Sequence, residues 1–225
     1  MQKKKEIDLN LEERRERIDK TYKDKPYFKN IPLDSLGDTG ENTVSSYKFA
    51  DRYTLGKKNE RIALPDSAIR FVNIIFNASK VLGHNDKKAL AIATQAAAET
   101  GYGAKPGANL FGIKAREGEP YQEVTTHEEK ANGRKKETHK FYDLSNGTIQ
   151  DNINKYTQTI TREYPLFWKS LDTESYSEAV KHLQDINRGG YRKENTGYAT
   201  DKNYLKKLGD INKGVKERIG YNDTL

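Results

Sequence analysis

The stretch Gln95-Ala96-Ala97-Ala98-Glu99-Thr100-Gly101-Tyr102-Gly103 decides how this chain is read. A run of small residues at helical spacing ends on a carboxylate and then meets glycine. Gly101 is placed to close the helix as a left-handed cap. Upstream, Asn85 or Asp86 can start the same helix, which carries Ala89, Leu90, Ile92, Ala93, Ala96 and Ala97. Side chains this small let another helix approach closely. Glu99 then stands at the negative end of a helix among alanines, and both surroundings disfavour its ionisation. A carboxyl that keeps its proton suits general acid chemistry. Against this stands the ordinary reading of a surface glutamate near a helix end.

Before this helix, Asp66 or Ser67 can cap another. Its apolar residues Ile69, Val72, Ile75, Phe76 and Leu82 follow helical spacing, with small Ser79 on the same face, and Gly83 ends it. After the Glu99 helix, residues 105–147 carry few helix signals. Val124-Thr125-Thr126-His127-Glu128 and Lys140-Phe141-Tyr142 read as short strands, and Asn132-Gly133 between them is a hairpin turn signal. Helices resume over Thr148 to Ile160 and over Tyr176 to Ile186. The last begins near Asp201 or Lys202, with a stripe of Tyr204, Leu208, Ile211, Val215 and Ile219. The expected fold is mainly α in an α+β arrangement: a helical domain over residues 65–225 with one antiparallel β-hairpin lobe. Packed helices facing such a lobe make a cleft.

Residues 1–64 read differently. Asn10 and Glu13 form a capping-box pattern before a nearly all-charged helix from Glu12 to Lys23. Asp24 to Ala63 follows with prolines, glycines and scattered aromatics. A helix polar on most faces does not bury itself in a core, so this part is expected to be an extended or helical arm that docks elsewhere or stays partly disordered.

The chain has 225 residues, 34% hydrophobic and 32% charged, with net charge +7 and no cysteine. Disulfides, thiolate metal sites and cysteine nucleophiles are therefore excluded. The basic charge draws the chain toward polyanions, nucleic acid and anionic wall polymers alike. Lys and Arg are interleaved with Asp and Glu, and no nucleic-acid motif is present, so nucleic acid is not the expected partner. His84, His127, His139 and His182 lack close ligand spacing, so neither a metal nor a cofactor is expected. No run of apolar residues reaches the length of a membrane span. The basic opening from Met1 has no apolar stretch behind it, so a secretory signal is not expected either.

Glycosidic hydrolysis pairs a protonated carboxyl with a second group that deals with the anomeric carbon. With Glu99 as the first, Glu123, Glu128 and Glu129 are candidates for the second. Strand side chains alternate, so only one of the adjacent pair Glu128 and Glu129 can face inward. Asp151 is a further acid, although an aspartate in the first turn of a helix is favoured there by the dipole alone.

Three blocks now add up. The Glu99 block, then Asn109-Leu110-Phe111-Gly112-Ile113-Lys114-Ala115, then Gly197-Tyr198-Ala199-Thr200-Asp201-Lys202-Asn203-Tyr204 occur in order. Together they resemble glycoside hydrolase family 73, the N-acetylglucosaminidases that include the peptidoglycan hydrolase domain of flagellar rod-cap proteins and phage relatives. The resemblance covers about residues 67–210.

It implies a lysozyme-like helical fold with a β-hairpin lobe, and cleavage of the β-1,4 bond between N-acetylglucosamine and N-acetylmuramic acid in peptidoglycan. A muramidase is the neighbouring alternative. The family's acid falls on Glu99. Its second glutamate falls on Glu128 when aligned from upstream and on Glu129 when aligned from the Asn-Gly turn; agreement over Glu123-Val124-Thr125-Thr126 favours Glu128. An aspartate of the following helix matches Asp151. Tyr102, Asn109, Phe111 and Tyr198 match positions near substrate, with Phe111 also readable as core and Asn109 as a turn former. Departures are a short stretch between the first two blocks, a ribbon one residue longer, and Tyr102 where tryptophan is common.

Glu99 would protonate the leaving oxygen. Glu128 would position water or stabilise the charged sugar, or the substrate's acetamido group would act as nucleophile. The implied partner is the peptidoglycan glycan strand in the bacterial wall. A phage virion, or an export apparatus engaged through residues 1–64, would carry the protein there. The competing readings are a catalytically silent wall-binding or structural component and a basic nucleic-acid-binding module.

Overall fold

The structure is a computed structural model that describes residues 53–55, 61–63, 65–105, 107–130, 133–184 and 203–221. The polar helix expected over Glu12 to Lys23 and residues 197–202 of the third block, Tyr198 among them, lie outside these residues.

Two three-residue strands, β1 (Tyr53–Leu55) and β2 (Arg61–Ala63), pair antiparallel within the segment read as an arm. Helix α1 (Pro65–Val81) follows. It begins just before the Asp66 or Ser67 cap expected from sequence, because Pro65 fits the first helical position, where its missing N–H is not needed. Asp66 therefore lies in the first turn. Helix α2 (Asp86–Thr100) starts at Asn85, whose side chain accepts from the Lys88 N–H at 2.9 Å. It ends at Gly101, whose φ of 60° is left-handed and whose N–H returns to the Ala97 carbonyl.

Strands β3 (Tyr121–Lys130) and β4 (Gly133–Tyr142) form one antiparallel ribbon, longer than the sequence pattern suggested. Helix α3 (Ile149–Glu163) opens on a complete capping box between Thr148 and Asp151. A short α4 (Pro165–Ser170), unforeseen in the sequence, starts where Tyr164 leaves helical geometry.

The single helix expected over Tyr176 to Ile186 is corrected. A one-turn α5 (Tyr176–Ala179) tightens into a 3-10 turn over Val180–Leu183, with residues 185–186 outside the description. Ala179, Val180 and Leu183 are buried by that single tightened turn, and no longer helix is needed to hide them. Helix α6 (Tyr204–Ile219) closes at Gly220.

Helix α2 packs between α1 and α6. Ala89, Ala93, Ala96 and Ala97 are all fully buried, which is what close helix approach requires. Phe71, Phe76, Ile92, Ile153, Ile160 and Phe167 fill the same core. Asn212 of α6 donates to the Thr94 hydroxyl of α2 at 2.9 Å, both buried, so this contact is polar and satisfied. The helical body thus fixes the end of α2, and the ribbon stands beside it. Among the described residues, no helix is long and apolar enough to cross a membrane.

Candidate functional site

The C-terminal turn of α2 is tied down by its own side chains. Thr100 donates to the Ala96 carbonyl at 2.7 Å and accepts the Gly103 N–H at 2.8 Å. Tyr102 takes a left-handed φ of 58°, unusual for a residue with a side chain. Its hydroxyl reaches the Ile211 carbonyl of α6 at 3.4 Å, and the Arg218 guanidinium lies 4.5 Å over its ring. Tyr102 is thus an anchor between the end of α2 and α6, with one ring face already covered.

Glu99 sits on this anchored turn, half-buried. Gln95, one turn earlier, donates Nε2–H to Glu99 Oε1 at 3.1 Å and to the Tyr204 hydroxyl at 2.7 Å. Tyr204 also hydrogen-bonds the carboxyl. Burial pushes the Glu99 carboxyl above its ordinary value; Lys105, Gln95 and Tyr204 pull it down but do not overcome the desolvation. The tyrosines nearby are equally dry: burial raises both Tyr156 and Tyr204, and the Glu99 charge raises them further.

The loop facing Glu99 is the Asn109–Ala115 block. Glu99 Oε2 looks toward Gly112, where an added Cβ would lie 3.5 Å away. Asn109 builds this loop. Its Oδ1 accepts the Ile113 N–H at 3.0 Å, and its Nδ2 donates to the Ile113 carbonyl at 2.9 Å and to Tyr142 of β4 at 3.2 Å. Its amide is therefore engaged with backbone, as the turn reading held.

Phe111 is corrected as a substrate contact. It is 2% exposed and stacks on Tyr156 of α3 at 4.4 Å, so no sugar reaches its face. Asn152 of α3, which sequence reading passed over, accepts the Leu110 N–H at 2.9 Å and donates to the Thr148 carbonyl at 3.0 Å. An asparagine at helical spacing from Ile149 and Tyr156, on the apolar stripe, was the available signal.

The loop is continuous with the ribbon. Lys114 bridges Phe141, Ala115 donates to Lys140 at 2.9 Å and Tyr142 donates to Ile113 at 2.8 Å. The register pairs Glu128 with Lys135 and Glu129 with Arg134. On β4, Glu137, His139 and Phe141 are half-buried, whereas Lys136, Thr138 and Lys140 are exposed.

Asp151 is exposed at the start of α3, where its Oδ2 accepts from the Thr148 N–H and hydroxyl, both at 2.8 Å. It lines an open, polar groove of about 500 Å³ between the base of the ribbon and the outer side of α3, with Tyr142, Asp143, Asn146, Lys155 and Gln158. Glu99 is not among the residues of that groove. Among the described residues, no group of three or more His, Asp or Glu side chains gathers as a metal cage would.

With this geometry in hand, comparison with known proteins is informative. The family model described as mannosyl-glycoprotein endo-beta-N-acetylglucosaminidase matches residues 77–217. That span contains all three blocks and both ends of the ribbon. An N-acetylmuramoyl-L-alanine amidase from Staphylococcus aureus is 26% identical with a TM-score of 0.53, covering 76% of this chain and 48% of that one. The glycoside hydrolase domain of FlgJ from Salmonella typhimurium is 25% identical with a TM-score of 0.46, covering 66% of this chain and 97% of that one. A peptidoglycan hydrolase mutant from Sphingomonas is 23% identical with a TM-score of 0.49, covering 67% and 97%. No match is found among curated proteins.

Proposed function

This chain belongs to the endo-β-N-acetylglucosaminidase family of glycoside hydrolases, and from that premise we propose that it hydrolyses the β-1,4 bond between N-acetylglucosamine and N-acetylmuramic acid in peptidoglycan. The observation that carries the reading is the state of Glu99: a carboxyl at an anchored helix end, raised by burial, with one oxygen turned toward a residue that has no side chain. Two solved structures that resemble this one are named as a peptidoglycan hydrolase and a glycoside hydrolase domain, which agrees with a wall glycan as substrate.

In this reading Glu99 protonates the leaving oxygen as the glycosidic bond breaks, and the negative charge left on the carboxylate is partly balanced by Gln95 and Tyr204. Glu128 is the second carboxylate, preferred over Glu129 because Glu123-Val124-Thr125-Thr126 before it agrees with the family pattern. It steadies the positive charge at the anomeric carbon or holds the attacking water. Asp151 acts through structure, fixing the start of α3 and so the Asn152 bond to the loop opposite Glu99. Tyr198 is offered as an aromatic platform for the sugar. The family match begins at residue 77, and the arm over residues 1–64 is the part we assign to docking on a phage particle or export apparatus.

The test is digestion of purified peptidoglycan, reduction of the products with borohydride, and mass spectrometry. Reduced N-acetylglucosamine at the new ends is the expected result; reduced N-acetylmuramic acid would make the enzyme a muramidase.

A further inference from the structure

We propose that Gln95 and Tyr204 are positioning residues, Gln95 holding Oε1 of Glu99 as an acceptor and Tyr204 accepting from the same amide, and that Oε2, the oxygen toward Gly112, is left to carry the proton. The inference rests on Glu99 being the acid and adds which of its two oxygens delivers the proton, and why. A carboxyl is nearly symmetric, and one that swings can present its proton to the wrong side. Here the symmetry is broken by a hydrogen bond to one of the two oxygens. The Gln95 amide nitrogen donates to Glu99 Oε1 at 3.1 Å and to the Tyr204 hydroxyl at 2.7 Å. The Tyr204 hydroxyl, having accepted that bond, turns its own proton to the Glu99 carboxyl.

An oxygen that already receives an N–H is the poorer place for a proton, so the neutral acid has its carbonyl at Oε1 and its hydroxyl at Oε2. Gln95 is 2% exposed, and water cannot replace it. The groups that face Glu99 come from four parts of the chain: Gln95 of α2, Lys105 of the turn after α2, Tyr156 of α3 and Tyr204 of α6. Of these, Gln95 and Tyr204 touch the carboxyl itself, whereas Lys105 donates to the Glu99 backbone carbonyl at 3.3 Å. On the other side, Gly112 takes a left-handed φ of 59° and offers no side chain to the proton-bearing oxygen, which leaves room there for the leaving oxygen of the glycan.

The experiment uses the full chain with Tyr204→Phe, which keeps the ring and removes the hydroxyl, and Gln95→Leu, which keeps the bulk and removes the amide. The Glu99 carboxyl is followed by carbon-13 NMR during pH titration, its resonance assigned by its absence in Glu99→Gln. Both bonds favour the ionised carboxylate, so the Glu99 midpoint moves up in each variant. The basic limb of the pH–rate profile for peptidoglycan cleavage moves up with it, and kcat falls roughly tenfold or more while KM changes little. A loosened fold would instead hydrate the carboxyl and move its midpoint down. A midpoint unmoved in Tyr204→Phe, with the melting temperature retained, overturns the proposal even if Gln95→Leu fails to fold. A moved midpoint alongside undiminished cleavage by Glu99→Gln instead overturns the reading of Glu99 as the acid, so the two failures are told apart.

Discussion

Gly112 faces Glu99 across the site: a methyl group added at Gly112 would lie 3.5 Å from Glu99 Oε2. The chain between them is short, but the contact depends on distant parts. Asn109 bonds the loop to the ribbon, Asn152 bonds it to α3, and Gly101 ends α2 where Glu99 can meet it. Gly112→Ala puts a methyl in contact with Glu99 Oε2, narrowing the approach to that oxygen, and strains a left-handed backbone. The expected outcome is kcat/KM lowered about tenfold or more, with a stability loss of about 1–2 kcal/mol. Steady-state kinetics and thermal melts on the same preparation check both.

Glu99 also imposes a pH dependence on stability. Its folded-state pKa is raised above the ordinary 4.5 by burial. The folded protein therefore binds more protons than the unfolded chain between those two values, and stability falls as pH rises through that window. Glu99→Gln removes the buried charge. Its melting temperature is expected to exceed the wild type's at pH 7, and the gap is expected to close below pH 4.5, where both states of the wild type are protonated. Melts at a series of pH values measure the gap directly.

Phe111 lies inside the family motif yet belongs to the core, stacked on Tyr156. Phe111→Ala is expected to cost about 3–5 kcal/mol of stability, the usual range for emptying a buried aromatic site. Any activity lost should track the folded fraction. A large rise in KM in a protein that melts like the wild type would restore Phe111 as a sugar contact.

Asn152→Ala removes the acceptor for the buried Leu110 N–H. The expected loss is about 1–3 kcal/mol, the cost of an orphaned buried donor. Asn152→Asp keeps the acceptor but buries a carboxylate against the Thr148 carbonyl, so it is expected to lose at least as much near neutral pH and less in acid, where the carboxyl is protonated. Denaturant unfolding of the two variants separates the hydrogen bond from packing.

How much of this was legible in the sequence depends on how local the cause is. Helix α2 could be read outright, since Asn85, the alanine stripe and Gly101 each act within a few residues of their effect. The ribbon was legible from Asn132-Gly133 and the β-branched run, although its length was not, because the outer residues are polar on both strands. The stretch from Tyr176 misled, since over eight residues the spacing of Ala179, Val180 and Leu183 suits a 3-10 turn as well as an α-helix. Strands β1 and β2, at three residues each, are too short to display alternation.

At the site, Glu99 announced itself through its surroundings. The burial of Phe111 did not, because an aromatic in a glycine-bounded loop reads alike whether it faces Tyr156 or a ligand. Gln95 was visible one turn before Glu99, but its partner Tyr204 comes from α6, and only the folded chain joins them.

The central claim is that the Glu99 carboxyl supplies the proton that breaks the glycosidic bond. Its most direct test is the rate of glycan-chain cleavage by Glu99→Gln against wild type on the same purified peptidoglycan. With the variant's fold verified by its melt, a loss of about 10²–10⁴-fold is expected. Cleavage within a factor of about two of wild type, far inside the span expected for a general acid, would contradict the account.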